Sequence, residues 1–296
     1  MSSESYPLVR DEFILGYRNQ TEWGWKIASA FFFGEVGAGL FFFSAFFDFI
    51  LGMVIGWFMV TVCKPAPLFM HLGRPLRAWR AIMNLRNSWI SRGLLSNASL
   101  TAFGFIHIVN QQYGILPESL STVVFMLALA ASFMVMIYLG FVMSYSSALS
   151  LWNSGLMPVI SLTYGLMGGV TLLILLTHNS FLAGDPMTLA FLKKLEFVLV
   201  IACMVMIVSL LHGAAYGSGA GKKSVWLLLK GDYSQYFITF VVFIGIVLTA
   251  LLIWFGPVSL AVLMTIAIAE LVGDIGLKLL LFKAATYEPT LSHSRF

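Results

Sequence analysis

Residues 25–47 read Trp25-Lys26-Ile-Ala-Ser-Ala-Phe-Phe-Phe-Gly34-Glu35-Val-Gly37-Ala-Gly39-Leu-Phe-Phe-Phe-Ser-Ala-Phe-Phe47. Beyond Lys26 the only charge in this stretch is Glu35. A helix needs about 20 apolar residues to cross the hydrocarbon core of a bilayer, and this run supplies them. Seven further runs of the same kind follow, at about 49–70, 94–112, 120–141, 157–177, 188–211, 235–255 and 259–282. The predicted fold is therefore an all-α integral membrane bundle of about eight transmembrane helices. It forms one membrane domain over 1–296, with no room for a soluble domain or a nucleic-acid-binding module. Composition agrees, with 59% hydrophobic and 10% charged residues, against about a quarter charged in soluble domains. Residues 1–23 are polar and lack an apolar core, so the first span is expected to direct insertion.

Eight spans would place both termini on one side, together with the loops after spans two, four and six. That side carries Arg10, Arg18, Lys26, Arg74, Arg77, Arg80, Arg86, Arg92, Lys222, Lys223, Lys230, Lys283 and Arg295, and the other only Lys193 and Lys194. Basic loops stay cytoplasmic. The chain is thus expected to be multi-pass in the cell inner membrane, with its termini and the 71–93 connection facing the cytoplasm. A basic partner-docking face would add to the same asymmetry.

The 71–93 connection begins His71-Leu-Gly73-Arg74-Pro-Leu-Arg77-Ala-Trp79-Arg80. It sets a titratable imidazole and three arginines where an apolar helix leaves the bilayer. Leu72, Leu76, Trp79 and Met83 recur at helical spacing, with the arginines on other positions. The pattern predicts an amphipathic interfacial helix between spans two and three. A purely lipid-anchoring helix would look the same. Gly217-Ser-Gly-Ala-Gly221-Lys222-Lys223-Ser224 imitates a phosphate loop, but Tyr216 stands where the pattern needs glycine and Lys223 where it needs Ser or Thr. It is expected to be a flexible basic loop. Cys63 and Cys203 lie inside spans without a CxxC partner, which argues against an iron–sulfur or zinc site in this chain.

Ionisable residues at membrane depth cost about 2.5–3.5 kcal/mol each on insertion scales, so they are functional candidates. Glu35 sits midway along span one among glycines that admit close approach of a helix or a flat ligand. In span eight Glu270, Asp274 and Lys278 recur every fourth residue and share one stripe. Two such carboxylates repel unless Lys278 or Lys64 neutralises one. The stripe is either a proton relay or a structural ion-pair ladder. Glu35 and Glu270 lie at similar depth and face one cavity if spans one and eight are neighbours. The histidines are His71, His107, His178, His212 and His293. By depth they pair only loosely, which leaves a di-haem b-type cytochrome subunit as one alternative. A secondary transporter is the other, although Pro65 and Pro67 break span two only near its end and no second half mirrors them.

The His71–Trp79 segment, followed by Ser88-Trp-Ile-Ser91-Arg92, resembles membrane subunits of the NrfD/PsrC/DmsC type, the anchors of polysulfide, tetrathionate and dimethyl sulfoxide reductases. The glycine-rich first span and Ala-Glu270-Leu-Val-Gly273 look like that family's first and last helices. The resemblance implies a haem-free anchor that exchanges electrons with a quinone pool. It also implies docking to an iron–sulfur electron-transfer subunit, which relays to a molybdopterin catalytic subunit. His71 then corresponds to the family's quinone-site histidine. Relatives often carry a glutamate just after the Ser-x-x-Ser-Arg element, where this chain has Gly93; Glu35 or Glu270 would have to replace it. A cytoplasmic His71 would fit a cytoplasmic molybdoenzyme.

The residues support the same chemistry. A quinone, menaquinone or ubiquinone, needs a flat apolar slot with a few polar groups at its carbonyls. Candidate proton carriers are His71, whose imidazole type changes charge near neutral pH, with Glu35, Glu270 and Asp274. Candidate binding residues are His71, Gly73, Arg74, Arg77, Trp79, Gly37, Gly39, Ser88 and Ser91. The arginines would stabilise negative charge on the ring and Trp79 would wall it. No metal is expected in this chain.

Overall fold

The computed structural model describes residues 17–178 and 186–289, without the side chains of Pro75, Leu76 and Pro186. Arg10, His293, Arg295 and the Leu76 side chain therefore lie outside what is described. The described chain is all-helical, and its only β pairing is two isolated bridges, Asn19 with Thr286 and Leu149 with Tyr287. The elements are α1 (Trp25–Phe46), α2 (Ile50–Phe58), α3 (Pro65–His71), α4 (Trp89–Tyr113), α5 (Glu118–Ser144) and α6 (Leu156–Thr177). They continue with α7 (Pro186–Gly217), α8 (Gly219–Leu229), the short α9 (Ser234–Tyr236), α10 (Thr249–Phe255) and α11 (Leu260–Ala284).

Seven helices are long and apolar enough to cross a membrane: Trp25–Phe46, Ile50–His71, Glu118–Ser144, Leu156–Thr177, Met187–Gly217, Ser234–Phe255 and Leu260–Ala284. The protein is a multi-pass membrane protein. The third expected span, α4, has 25 residues but is more polar. It nevertheless lies antiparallel along α5 for its whole length. At one end a Cβ on Gly93 would fall 2.1 Å from Tyr138 Cε2, and at the other Asn110 Nδ2 donates to Ser121 Oγ at 2.8 Å. The main chain therefore traverses the bundle eight times.

All loops that the eight traverses bring to one end are tied together there. Gln20 N donates to Ala285 O at 2.8 Å, Lys26 Nζ to Met70 O at 3.0 Å and Thr286 N to Ser224 Oγ at 3.1 Å. Ser218 and Ser150 hydroxyls lie 2.8 Å apart. Trp23, Phe31, Trp152 and Phe282 pack ring against ring beneath them, with centroids 5.0–5.6 Å apart, and Trp152 Nε1 donates to Leu281 O at 2.9 Å. Apolar shape fills the closure and polar ends are paired, as buried Trp requires.

Between the ends, α1 is the central helix, largely enclosed by its neighbours. Its glycines allow this. A Cβ on Gly39 would sit 1.8 Å from Gly165 O on α6, and one on Gly37 2.6 Å from Met59 Cβ on the second span. Small residues at contact points are how membrane helices approach closely. Of the two readings of these glycines, the structure shows helix approach; the space beside Gly37 and Gly39 is taken by atoms of the neighbouring helices.

Four elements differ from the sequence-based expectation. The second span is continuous only through a π-helical turn, Met59–Cys63, and Phe237–Leu248 of the seventh span is also π-helical. The interfacial element is a 3₁₀-helix, Pro75–Asn84. At three residues per turn the apolar spacing of an α-helix does not align. Arg74, Arg77 and Arg80 do align, and Trp79 and Met83 are exposed. The basic segment after Gly217 is the helix α8, not a flexible loop. Ser218 accepts from Gly221 N at 3.0 Å as its N-cap, and Val225, Leu227 and Leu228 are buried beneath it.

Candidate functional site

Three polar groupings stand out against the apolar bundle. The first joins α1, α6 and α11. Positions 274 and 278 share a face of α11, so Lys278 reaches back to Asp274 Oδ1 in the direction an i,i+4 pair allows. The same ammonium lies 2.8 Å from Glu35 Oε2 and 5.3 Å from the centroid of Tyr164. Ser161 Oγ is 2.5 Å from Glu35 Oε1. All of these side chains are buried. Two carboxylates face one ammonium here, and a buried ion cluster holds only if its hydrogen bonds are made. A small cavity beside it, about 30 Å³, is lined by Glu35, Ser161, Tyr164 and Lys278 and by Phe31 and Phe282 towards the closed end. That is room for one or two waters.

A second buried cation, Lys64, lies beside the residue preceding Glu35. Lys64 directly follows the π turn, and its backbone N bonds to Met59 O at 2.9 Å. The extra residue of a π turn rotates the helix beyond it, and such turns gather at functional positions. Here it points Lys64 into the bundle, where its side chain packs on Gly34. Lys64 Nζ donates to Asn97 Oδ1 at 2.8 Å and lies 4.6 Å from the Tyr138 ring centroid. Gly93 leaves the room that Tyr138 fills.

The second grouping joins α6, α7 and α11. Thr171 Oγ1 lies 2.8 Å from Glu196 Oε1, contacts Glu270 Oε2 and lies 2.9 Å from Met167 O. Glu35 and Glu270 therefore do not face one cavity. Spans one and eight are neighbours, but Glu35 shares Lys278 with Asp274 while Glu270 shares Thr171 with Glu196.

The third grouping is the His71 segment. His71 ends α3 and is exposed, as are Arg74, Arg77 and Arg80. Lys26 holds the neighbouring Met70 carbonyl. Phe69, Met70 and Leu72 are exposed around it, and Trp79 is 58% exposed. A Cβ on Gly73 would meet nothing within 4 Å. Ser88 and Ser91 take local roles: Ser88 Oγ accepts from Ser91 N at 3.3 Å as the cap of α4, and the Ser91 hydroxyl donates to Ala81 O. Arg92 binds the Leu85 and Arg86 carbonyls at 3.0 and 2.8 Å and covers Trp89. The serine–arginine element thus pins the 3₁₀ segment to α4.

A family profile described as "Polysulphide reductase, NrfD" matches residues 14–287, most of the chain. The chain belongs to the NrfD family. It is a membrane subunit of the polysulphide reductase type, a component of a reductase complex. No curated protein sequence matches it. Among the described residues no three His, Cys, Asp or Glu side chains converge as metal ligands.

In this NrfD chain the candidate residues thus fall into separate places. Glu35, Asp274 and Lys278 come together; Glu270 stands one turn away with a different partner; His71, Arg74, Arg77 and Trp79 lie at the basic end. Sequence reasoning missed Glu196, which falls inside the run 188–211 and is buried. Its depth in that run was the available signal, hidden by Lys193 and Lys194 just before it. Asn97, Ser161 and Thr171 carried no signal, since small polar residues are common in membrane helices.

Proposed function

We propose that this chain is the quinone-interacting membrane anchor of a molybdopterin oxidoreductase complex, exchanging electrons between the quinone pool and an iron–sulfur subunit. The observation that carries the reading is the placement of His71. It stands at the membrane edge among exposed apolar side chains, with a line of buried polar groups leading inward from its own span.

The surface around His71 suits a flat apolar ring arriving from the lipid: Phe69, Met70, Leu72 and Trp79 offer apolar area, and His71, Arg74 and Arg77 the polar contacts. When bound there, a quinone would supply two-electron chemistry linked to two protons. His71 would hold or release a proton at a ring nitrogen. Arg74 and Arg77 would favour negative charge beside it.

The proton then needs a route. Lys26, level with His71, is nine residues before Glu35, about 14 Å along α1 at 1.5 Å per residue. Lys64 lies seven residues before His71 on its span and packs beside Glu35 on Gly34. Lys64, Glu35, Lys278 and Asp274 thus supply polar groups in sequence where apolar helix would otherwise stand. The exposed cations of the same end, Arg77, Arg80, Arg86, Lys222 and Lys230, form a basic face suited to an acidic iron–sulfur partner.

His71→Ala in the assembled complex tests this reading. Quinol-linked electron transfer should be lost, while the catalytic subunit keeps its activity with an artificial electron carrier. Full quinone-linked activity in an assembled variant would remove His71 from the site.

A further inference from the structure

We infer that Glu196, Thr171 and Glu270 form a buried proton-binding site, in which two carboxyl groups hold at least one proton between them through the threonine hydroxyl. The number of available hydrogens requires it. The Thr171 hydroxyl has one proton to donate and three acceptors around it: Met167 O at 2.9 Å, Glu196 Oε1 at 2.8 Å and Glu270 Oε2. An ionised carboxylate only accepts. With both glutamates ionised, one of them would press a lone pair against the hydroxyl oxygen with no hydrogen between. One carboxyl must therefore be protonated and donate to Thr171. If Thr171 donates to Met167 O, as hydroxyls in helices often do four residues back, both are protonated.

A separate observation points the same way. Glu270 Oε1, the oxygen not engaged with Thr171, is buried and has no hydrogen-bond partner among the described residues, and Glu270 itself is 1% exposed. A charged oxygen is costly to leave without a donor; a protonated one is not. The charged and titratable groups facing the site do not relieve it. On α11 the next is Asp274, an acid whose Oδ2 is likewise unpartnered. Lys278 beyond it is committed to Asp274 and Glu35. On α6 Tyr164 lies beside Lys278. On α7 Cys203 lies against Met167, and Lys193, one turn before Glu196, makes no ion pair with either glutamate among the described residues.

The site is remote from His71. Glu196 and Glu270 each stand ten residues from the start of their helices, about 15 Å from the end opposite the basic one. Its ligand is a proton, and the inference does not depend on quinone chemistry at His71.

Infrared spectroscopy of the purified complex tests it without turnover. The wild type minus Glu270→Gln difference at neutral pH should show one carbonyl band of a protonated carboxylic acid, shifting in deuterium oxide. Wild type minus Glu196→Gln should show a band of the same kind, because the pair shares the proton, whereas wild type minus Glu35→Gln should not report this pair. Thr171→Val keeps both carboxyls and should move the band without abolishing it. This arm serves if a glutamine variant fails to accumulate. Differences that contain only ionised-carboxylate bands would overturn the inference. So would a band indifferent to Thr171→Val, or one that disappears when sodium replaces potassium, which would assign the pair to a metal cation.

Discussion

Lys278 is the residue on which the buried charge balance turns. It is the one cation in ion-pair contact with Glu35 and Asp274 among the described residues, and removing one member of a buried pair costs about 3–5 kcal/mol because the other is left uncompensated. Lys278→Met should therefore lower the thermal unfolding midpoint of the complex by several degrees, and adding Glu35→Gln should restore part of the loss. An unchanged midpoint in Lys278→Met would mean that the cluster contributes nothing to stability. The fourfold spacing of Glu270, Asp274 and Lys278 made one stripe legible in the sequence, because a helix repeats every 3.6 residues. Which helix each side chain meets was not legible. Lys278 crosses to α1 while Glu270, one turn away, turns to α6 and α7, a consequence of packing angles that no local pattern encodes.

At the scale of elements, the glycine contacts and the π turns do what composition alone leaves open. Gly39, Gly165 and Gly169 meet where α1 crosses α6, and a Cβ on Gly169 would fall 2.3 Å from the Gly39 carbonyl carbon. Backbone cannot yield as a flexible side chain does. Gly39→Val should reduce the amount of folded protein in membranes several-fold, measured by quantitative blotting and monodisperse elution in detergent. Gly73→Ala, with open space around it, should leave that amount unchanged. Normal accumulation of Gly39→Val would show that the two helices can separate without penalty. The apolar runs themselves were legible to within a few residues because each must span the bilayer. The π turn before Lys64 was not, since it leaves no composition signal; neither was the 3₁₀ pitch of 75–84, whose apolar residues also fit an α-helix.

For the whole molecule, the closed end gathers residues 18–26, the last turn of α3 from which the 71–93 connection leaves, the 145–155 turn, α8 and residues 285–288 through contacts between distant parts of the chain. This agrees with the charge asymmetry read along the sequence, in which basic residues concentrate at the same loops. The agreement depends on α4 crossing the membrane. Were α4 to lie flat, the 71–93 connection and the turn at 114–117 would share a face, and every later loop would change sides. The pairing of Gly93 with Tyr138 and of Asn110 with Ser121 argues for crossing. If the basic end faces the cytoplasm, as the positive-inside rule expects, a cysteine replacing Met83, 69% exposed, should resist an impermeant maleimide while the cytoplasmic membrane is intact and react once it is opened. One replacing Ile115, 65% exposed, should react at once. Cys63 and Cys203 would first be changed to alanine. Labelling of both positions in intact cells would mean that α4 does not cross. Labelling of Met83→Cys alone would invert the bundle and move the proposed partner-docking face, with His71, to the outer surface.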